Sequence, residues 1–291
     1  MTLRLRRMAV RRSPTSNRHA MAAPIFDARY AFMDALNPLA RNDATLLAAR
    51  FGIYRERRLT GALCRLFCCA WMHRMPHDFK GRLAVVPDGC SELVWSGGRL
   101  MVIGPDRTAA FPRLAPGETV LGLRFRPGAA LGWLDLPLCE LVGQAVPLGV
   151  LRDDVRDIEE RLAAVPETAA RMRLLQGWAI REALTATDAP QEMESLFGFL
   201  LDGRAAAGDI SSAFSERTLR RRAHDHFGYG PKTLDRVLRL QRFLKRARDP
   251  EANSLAILAL DTGYADQAHM TRDVREFTTM TPLDIRRQLS A

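Results

Sequence analysis

The chain has 291 residues, 47% of them hydrophobic, with 43 Lys+Arg against 33 Asp+Glu and a formal net charge of +10. That length and apolar content suit two ordinary globular domains and exclude a disordered chain; the longest apolar run, Leu59 to Met72, is cut by Arg65 and falls short of the roughly 18 residues a membrane span needs. Five cysteines (Cys64, Cys68, Cys69, Cys90, Cys139) form an odd set with no repeated C-x2-C spacing, which argues against a disulfide framework or a zinc ribbon and for a reducing cytoplasm.

In chain order, residues 1–50 carry +6, 51–150 carry +4, 151–201 carry −4 and 202–291 carry +4, so the charge is not one patch. Only Lys80, Lys232 and Lys245 are lysines; part of the Arg excess reflects codon composition, and the high pI permits nucleic-acid binding without requiring it. The first 26 residues hold six Arg and no acid, with no apolar core to make a secretory signal. Residues 1–24 therefore read as a basic flexible tail, or as an over-extended start with Met21 the initiator.

Residues 25–150 read as a small β-rich, barrel-like domain. Leu83 to Val86, Glu92 to Trp95, Leu100 to Ile103 and Val120 to Phe125 are short apolar runs separated by Pro87-Asp88-Gly89, Gly97-Gly98 and Gly104-Pro105, and the Gly-Gly pair is a hairpin signal. Cys64, Cys68, Cys69, His73 and His77 have spacings that would gather a metal only on a helix; their apolar neighbours favour buried small hydrophobes, and no metal or cofactor is expected. Cys90 suits a redox thiol only if exposed beside a cation such as Arg124. Ala129 to Val142 and Asp153 to Leu201 have helical spacing, and 151–203 reads as an acidic helical connector ending at Asp202-Gly203. Asp153/Asp154 and Glu159/Glu160 read as a solvated helix face. With no phosphate-binding Gly loop, no G-x-S-x-G elbow and no H-E-x-x-H, the chain does not read as an enzyme.

Residues 204–291 contain a near-repeat at an offset of 51: Ser215 to Pro231 (SERTLRRRAHDHFGYGP) and Asp266 to Pro282 (DQAHMTRDVREFTTMTP). In each copy a capping residue opens a helix with an apolar residue four positions on (Leu219, Met270) and an arginine two later (Arg221, Arg272). Ahead of the second copy, Leu255, Leu258, Ala259 and Leu260 with Thr262-Gly263 predict a short helix and tight turn, hence a helix-turn-helix. Between the copies, Lys232 to Arg248 predicts a helical rod on the order of 25 Å long at ~1.5 Å per residue. The fold class is thus α+β: a β-rich domain, a connector and an all-α double helix-turn-helix. Recognition helices on such a rod can reach the roughly 34 Å between successive major grooves on one side of B-DNA.

Ser-Glu-Arg-Thr-Leu-Arg-Arg-Arg from Ser215, Phe227-Gly-Tyr-Gly-Pro-Lys, Arg236-Val-Leu-Arg-Leu-Gln-Arg and Gly263-Tyr-Ala-Asp-Gln-Ala-His-Met-Thr-Arg resemble the AraC/XylS family of bacterial transcription regulators over about residues 205–290. Val86-Pro-Asp-Gly-Cys, Gly104-Pro and Arg124-Phe-Arg-Pro-Gly-Ala-Ala resemble an uncharacterised β-rich domain found ahead of such modules. The resemblance implies a cytoplasmic regulator whose partners are double-stranded DNA, a small-molecule effector of unknown identity, RNA polymerase and a second copy, with no membrane. It implies base contacts from Arg217, Arg220, Arg221, Gln267, Ala268, His269 and Arg272. Arg and Gln are suited to guanine and adenine edges respectively, whereas Ser215, Lys232 and Arg236 suit phosphates.

The sequence departs from the family at Gly208-Asp209 and Ala213, where an apolar pair and a turn glycine belong, at Ala223 in place of a buried aromatic, and at Thr279 in place of glycine. These departures predict a poorly packed first unit. The alternative reading is a ligand-binding or enzymatic small barrel with a degenerate DNA-binding module.

Overall fold

The computed structural model describes residues 45–79, 81–203, 215–249 and 254–290. The basic tail and the departures at Gly208, Asp209 and Ala213 lie outside them.

Apolar residues alternate along short strands, and the turn residues between them fix the register. β1 (Thr45–Leu47) pairs in parallel with β4 (Arg82–Ala84). The remaining strands, β2 (Ile53–Arg58), β3 (Phe67–Arg74), β5 (Glu92–Ser96), β6 (Arg99–Ile103), β7 (Thr119–Phe125) and β8 (Ala145–Pro147), form one antiparallel sheet in the order β2-β3-β7-β5-β6-β8. Gly97 and Gly98, both at positive φ (56° and 78°), make the two-residue β5–β6 hairpin turn the sequence predicts. The sheet is open: β2 and β8 are its edges, and a barrel-like closure is not formed among the described residues. The segment from Phe67 to Arg74 is a strand, so Cys68, Cys69 and His73 do not line one helix face; the His73 Nε2–H instead donates to the Phe51 carbonyl at 2.6 Å. Among the described residues no group of three or more His, Cys, Asp or Glu is placed to hold a metal, and no helix is long and apolar enough to cross a membrane.

One face of the sheet, with Phe67, Leu93, Trp95, Leu100, Val102, Leu121, Leu123 and Phe125, is covered by α1 (Ala130–Leu134), α3 (Arg156–Ala164) and α4 (Thr168–Thr185); the short α2 (Leu148–Leu151) follows β8. The helix expected over Ala129 to Val142 is limited to α1, because Asp135 turns left-handed (φ 51°) and Pro137 leads into a 3-10 turn. Glu182 of α4 is buried, where it accepts from Trp133 Nε1 at 3.0 Å and pairs with Arg152 at 2.9 Å.

A second core gathers α5 (Gln191–Leu201), α6 (Glu216–Phe227), α7 (Pro231–Arg246), α8 (Leu255–Asp261), α9 (Gln267–Thr278) and α10 (Pro282–Ser290). Met193, Leu196, Phe197 and Leu200 place α5 in this core, although the sequence reading assigns it to the connector. Leu47 and Ala84, from the small parallel sheet, reach the same core, and the Gln288 side chain accepts from Leu47 N–H (2.8 Å) and donates to the Thr45 carbonyl (3.0 Å).

Candidate nucleic-acid interface

α6 and α9 are built by the same local chemistry. Ser215 Oγ accepts from the Thr218 N–H at 3.2 Å, and an Asp266 carboxylate oxygen accepts from the His269 N–H at 2.6 Å; each satisfies an orphan donor of a helix start. Both helices end in a left-handed residue, Gly228 (φ 81°) and Thr279 (φ 61°), followed by a helix whose first residue is proline, Pro231 or Pro282. Every one of these features recurs at 51 residues.

The second unit is complete. Leu258 and Ala259 of α8 are buried, Gly263 turns at φ 88°, and the Tyr264 N–H donates back to the Ala259 carbonyl at 2.9 Å, which sets α9 across α8. In the first unit α6 packs through Leu219, Ala223 and Phe227 against α5 and α7. Ala223 is fully buried in the core that holds Phe197 and Phe227.

The opposite faces are exposed and basic. Arg217, Arg220 and Arg221 on α6, and Gln267, Ala268, Arg272 and Arg275 on α9, are solvent-accessible. The side chains of these arginines and of Gln267 make no hydrogen bond or ion pair among the described residues. Arg275, one turn beyond Arg272, was missed in the sequence because the repeat places His224, not an arginine, opposite it. Lys232 is exposed in the first turn of α7 and Ser215 at the start of α6, both beside the arginine face.

Two expected contacts are placed otherwise. His269 accepts from the Ala265 N–H at Nδ1 (3.4 Å), has Nε2 3.8 Å from Asp273 and stands edge-on to Tyr264 at 5.3 Å, so its ring is turned to its own helix and turn. Arg236 pairs with Asp273 at 2.8 Å and Glu276 at 2.7 Å and lies over the Phe277 ring, locking α7 to α9. These two carboxylates raise the Arg236 pKa and take four of its five N–H donors.

Residues 211–288 match the model of a helix-turn-helix domain. The C-terminal region is an AraC-type helix-turn-helix domain. The chain carrying it is accordingly a DNA-binding transcription regulator. Ahead of the AraC-type domain, residues 60–147 match a domain of unknown function (DUF6597). No curated protein matches the chain by sequence. Solved structures that match include ToxT from Vibrio cholerae O395, with 8% identity and a TM-score of 0.42 over 82% of this chain and 98% of that one. The same protein bound to (E)-4-(8-methylnaphthalen-1-yl)but-3-enoic acid matches with 9% identity and a TM-score of 0.41 over 81% and 99%. ToxT of strain SCE256 bound to an unsaturated fatty acid matches with 9% identity and a TM-score of 0.38 over 82% and 95%.

In the N-terminal domain Arg124 is the centre of charge, paired with Glu92 (2.9 Å), Asp88 (3.3 Å) and Glu56 (3.5 Å). Burial by itself lowers the Arg124 pKa, but Asp88 and Glu92 outweigh it and the guanidinium stays charged. Burial pushes the Cys90 thiol well up, Asp88 adds to the shift, and Arg124 opposes it only in part, so Cys90 is not a reactive thiolate.

Proposed function

We propose that the AraC-type domain reads two adjacent major grooves from one chain, α6 entering one and α9 the other, under the control of a small-molecule effector at the N-terminal domain. The observation that carries this reading is how the arginines divide. On α7 Arg236, Arg239, Arg242 and Arg246 are all held by acidic partners, whereas Arg217, Arg220 and Arg221 on α6 and Arg272 on α9 are left without one among the described residues. Cations exposed on recognition-helix faces are what bidentate guanine contacts and phosphate neutralisation require. Arg217, Arg220, Arg221, Gln267 and Arg272 are assigned to bases, Ser215 and Lys232 to phosphates, and Arg236 to holding the units together. The protein acts in the cytoplasm as a non-enzymatic regulator, with RNA polymerase and a second copy of the chain as further partners.

Fluorescence anisotropy of the full chain on its target duplex tests the assignment. Arg272→Ala costs about 1–3 kcal/mol and relaxes preference at one base position, whereas Lys232→Ala weakens all sequences alike and lowers the salt slope by about one. Uniform loss in both variants overturns the base-contact assignment, and a flat dependence of log K on log salt overturns the DNA reading.

A further inference from the structure

An open cleft of about 700 Å³ lies at one end of the six-stranded sheet, where the end of β3, the β5–β6 hairpin and the loop before β7 meet the corner between α3 and α4. None of its lining residues belongs to α6 or α9, so the DNA-binding reading does not use it. Glycines shape it. Gly97 and Gly98 of the hairpin have nothing within 4 Å of where a Cβ would stand, and at Gly117 the His77 ring lies 2.3 Å from that place. Trp95, Ala163 and Pro166 give the cleft an apolar wall.

The titratable groups that line the cleft are Arg74, His77, Glu118 and Arg171. Glu118 is occupied: one carboxylate oxygen accepts from the Ser96 hydroxyl at 2.6 Å and the other from the Ala115 N–H at 2.8 Å. Arg74 donates from Nε to Thr119 Oγ1 at 3.2 Å, which fixes its guanidinium and leaves both terminal nitrogens without a partner among the described residues. Arg171 donates from Nε to the Leu162 carbonyl (3.0 Å) and from Nη2 to the Val165 carbonyl (2.5 Å), closing the end of α3, while Nη1 has no partner among the described residues. At the rim the exposed Arg99 and Arg113 are matched by the exposed Asp78 and Glu167, and Glu159 of α3, which does not line the cleft, accepts from the Leu100 N–H at 2.7 Å. The lining is therefore rich in unused N–H donors, with its one acid already bonded. A carboxylate matches the paired terminal nitrogens of Arg74, and its single charge offsets the excess of Arg74 and Arg171 over Glu118. A cation would meet two guanidinium groups, and a phosphate dianion brings more charge than the lining offsets. The volume lies in the range of small-molecule sites, and the apolar wall suits a hydrocarbon part.

We propose that this cleft binds a small organic monocarboxylate, with its carboxylate on Arg74 and Arg171 and its hydrocarbon part against Trp95, Ala163 and Pro166. Its role as the effector rests on the effector-controlled reading above, while the binding itself does not. α4 offers the route between the two: it begins at the cleft with Thr168 and Arg171, and α5, which follows it in the chain, lies in the C-terminal core.

Thermal unfolding of the full chain tests the binding, with sodium acetate, hexanoate and cyclohexanecarboxylate as probes at millimolar concentration over a constant sodium chloride background. Cyclohexanecarboxamide, which has the same shape without the charge, and sodium phosphate are the controls. At least one carboxylate is expected to raise the Tm, and neither control is. In Arg74→Gln the apparent affinity is expected to fall about tenfold, as the loss of a charge-assisted contact implies. Ala163→Phe, which fills the cleft without changing its charge, is expected to abolish the response, and Arg99→Gln at the rim to keep it. Arg74 and Ala163 are exposed, so the Tm of each variant without probe is expected to hold and a lost response is not a lost fold. No response to any of the three carboxylates, an equal response to the carboxamide, or a full response in Arg74→Gln or Ala163→Phe overturns the site, and an equal response to phosphate overturns the carboxylate assignment. Anisotropy on the target duplex then tests the effector role: the responding carboxylate is expected to change affinity by about fivefold or more in the wild type and not in Arg74→Gln. An unchanged affinity overturns that role and leaves the site standing, whereas failure to bind DNA under any condition overturns the regulator reading, with the Tm series still deciding the site.

Discussion

The turn after α6 and the turn after α9 hold the same place in the 51-residue repeat, yet Gly228 lies against Pro105, Val142 and the Leu138 carbonyl of the N-terminal domain, while Thr279 is exposed to solvent. The contrast extends along both helices. His226 Nδ1 bonds the Gly128 carbonyl at 2.9 Å and Arg126 pairs with Glu194 of α5 at 2.6 Å, so the first unit is finished by another domain. In the second, α8 and α10 flank α9, and Arg236 fastens it to α7. It meets the N-terminal domain by another route: the Ala109 N–H donates to the Phe277 carbonyl at 2.7 Å, Gln288 of α10 bonds Leu47 and Thr45 of β1, and Arg50 donates to the Gln288 carbonyl at 3.2 Å. A repeated motif can therefore be equal in local chemistry and unequal in what supports it. The N-terminal domain touches the first unit at the end of α6 and the second through α10 and the end of α9.

Four substitutions would break or sharpen this contrast. The largest effect is expected from Arg236→Ala, which leaves the buried Asp273 carboxylate without its guanidinium and costs about 3 kcal/mol in urea unfolding. A loss confined to amides of α6 in hydrogen exchange would contradict the fastening of α9 by Arg236. Gly228→Ala follows at about 2 kcal/mol, because the left-handed backbone disfavours a Cβ and Pro105 and Val142 stand 2.6 Å from where it would sit. If the same denaturation experiment shows Gly228→Ala to be no worse than an ordinary surface change, the docking of the N-terminal domain on the first unit is refuted.

Thr279→Gly has the opposite sign. A β-branched residue at φ 61° is strained, and its relief outweighs the added freedom of the unfolded chain, so a gain of about 0.5–1 kcal/mol is expected in thermal melts. The smallest effect is a pH slope. The folded-state pKa of Asp106 is raised from 3.8 to about 6, so its contribution to stability is complete below about pH 4 and is lost as pH rises through 6. Asp106→Asn is expected to flatten the stability profile in that window, and an unchanged profile by calorimetry would contradict the burial of the Asp106 carboxyl.

Much of this architecture was legible in the residues. Gly97-Gly98, the caps Ser215 and Asp266, Gly263 and the two prolines act within a few residues of themselves, and the structure places each where its backbone chemistry demands. β3 was not legible: Phe67 to Arg74 carries apolar or small residues on both faces, so no alternation separates it from a buried helix. The fate of the arginines was not legible either. Arg236 and Arg272 both lie on helices beside the expected DNA face, and only the packing of α7 on α9 brings Asp273 and Glu276 to the former and leaves the latter without a partner among the described residues. Ala223 predicted a loose first unit, but α5, read as connector, closes around that core with Met193, Leu196 and Phe197.

The sequence by itself determined the double helix-turn-helix, its 51-residue spacing and the strands around Gly97-Gly98, because caps, turns and hydrophobic periodicity are set by neighbours in the chain. The tertiary structure alone decided that the six-stranded sheet is not closed among the described residues, that α5 belongs to the C-terminal core and that Asp273 and Glu276 meet Arg236. Those outcomes depend on groups more than 30 residues apart, whose meeting is fixed by which surfaces bury together.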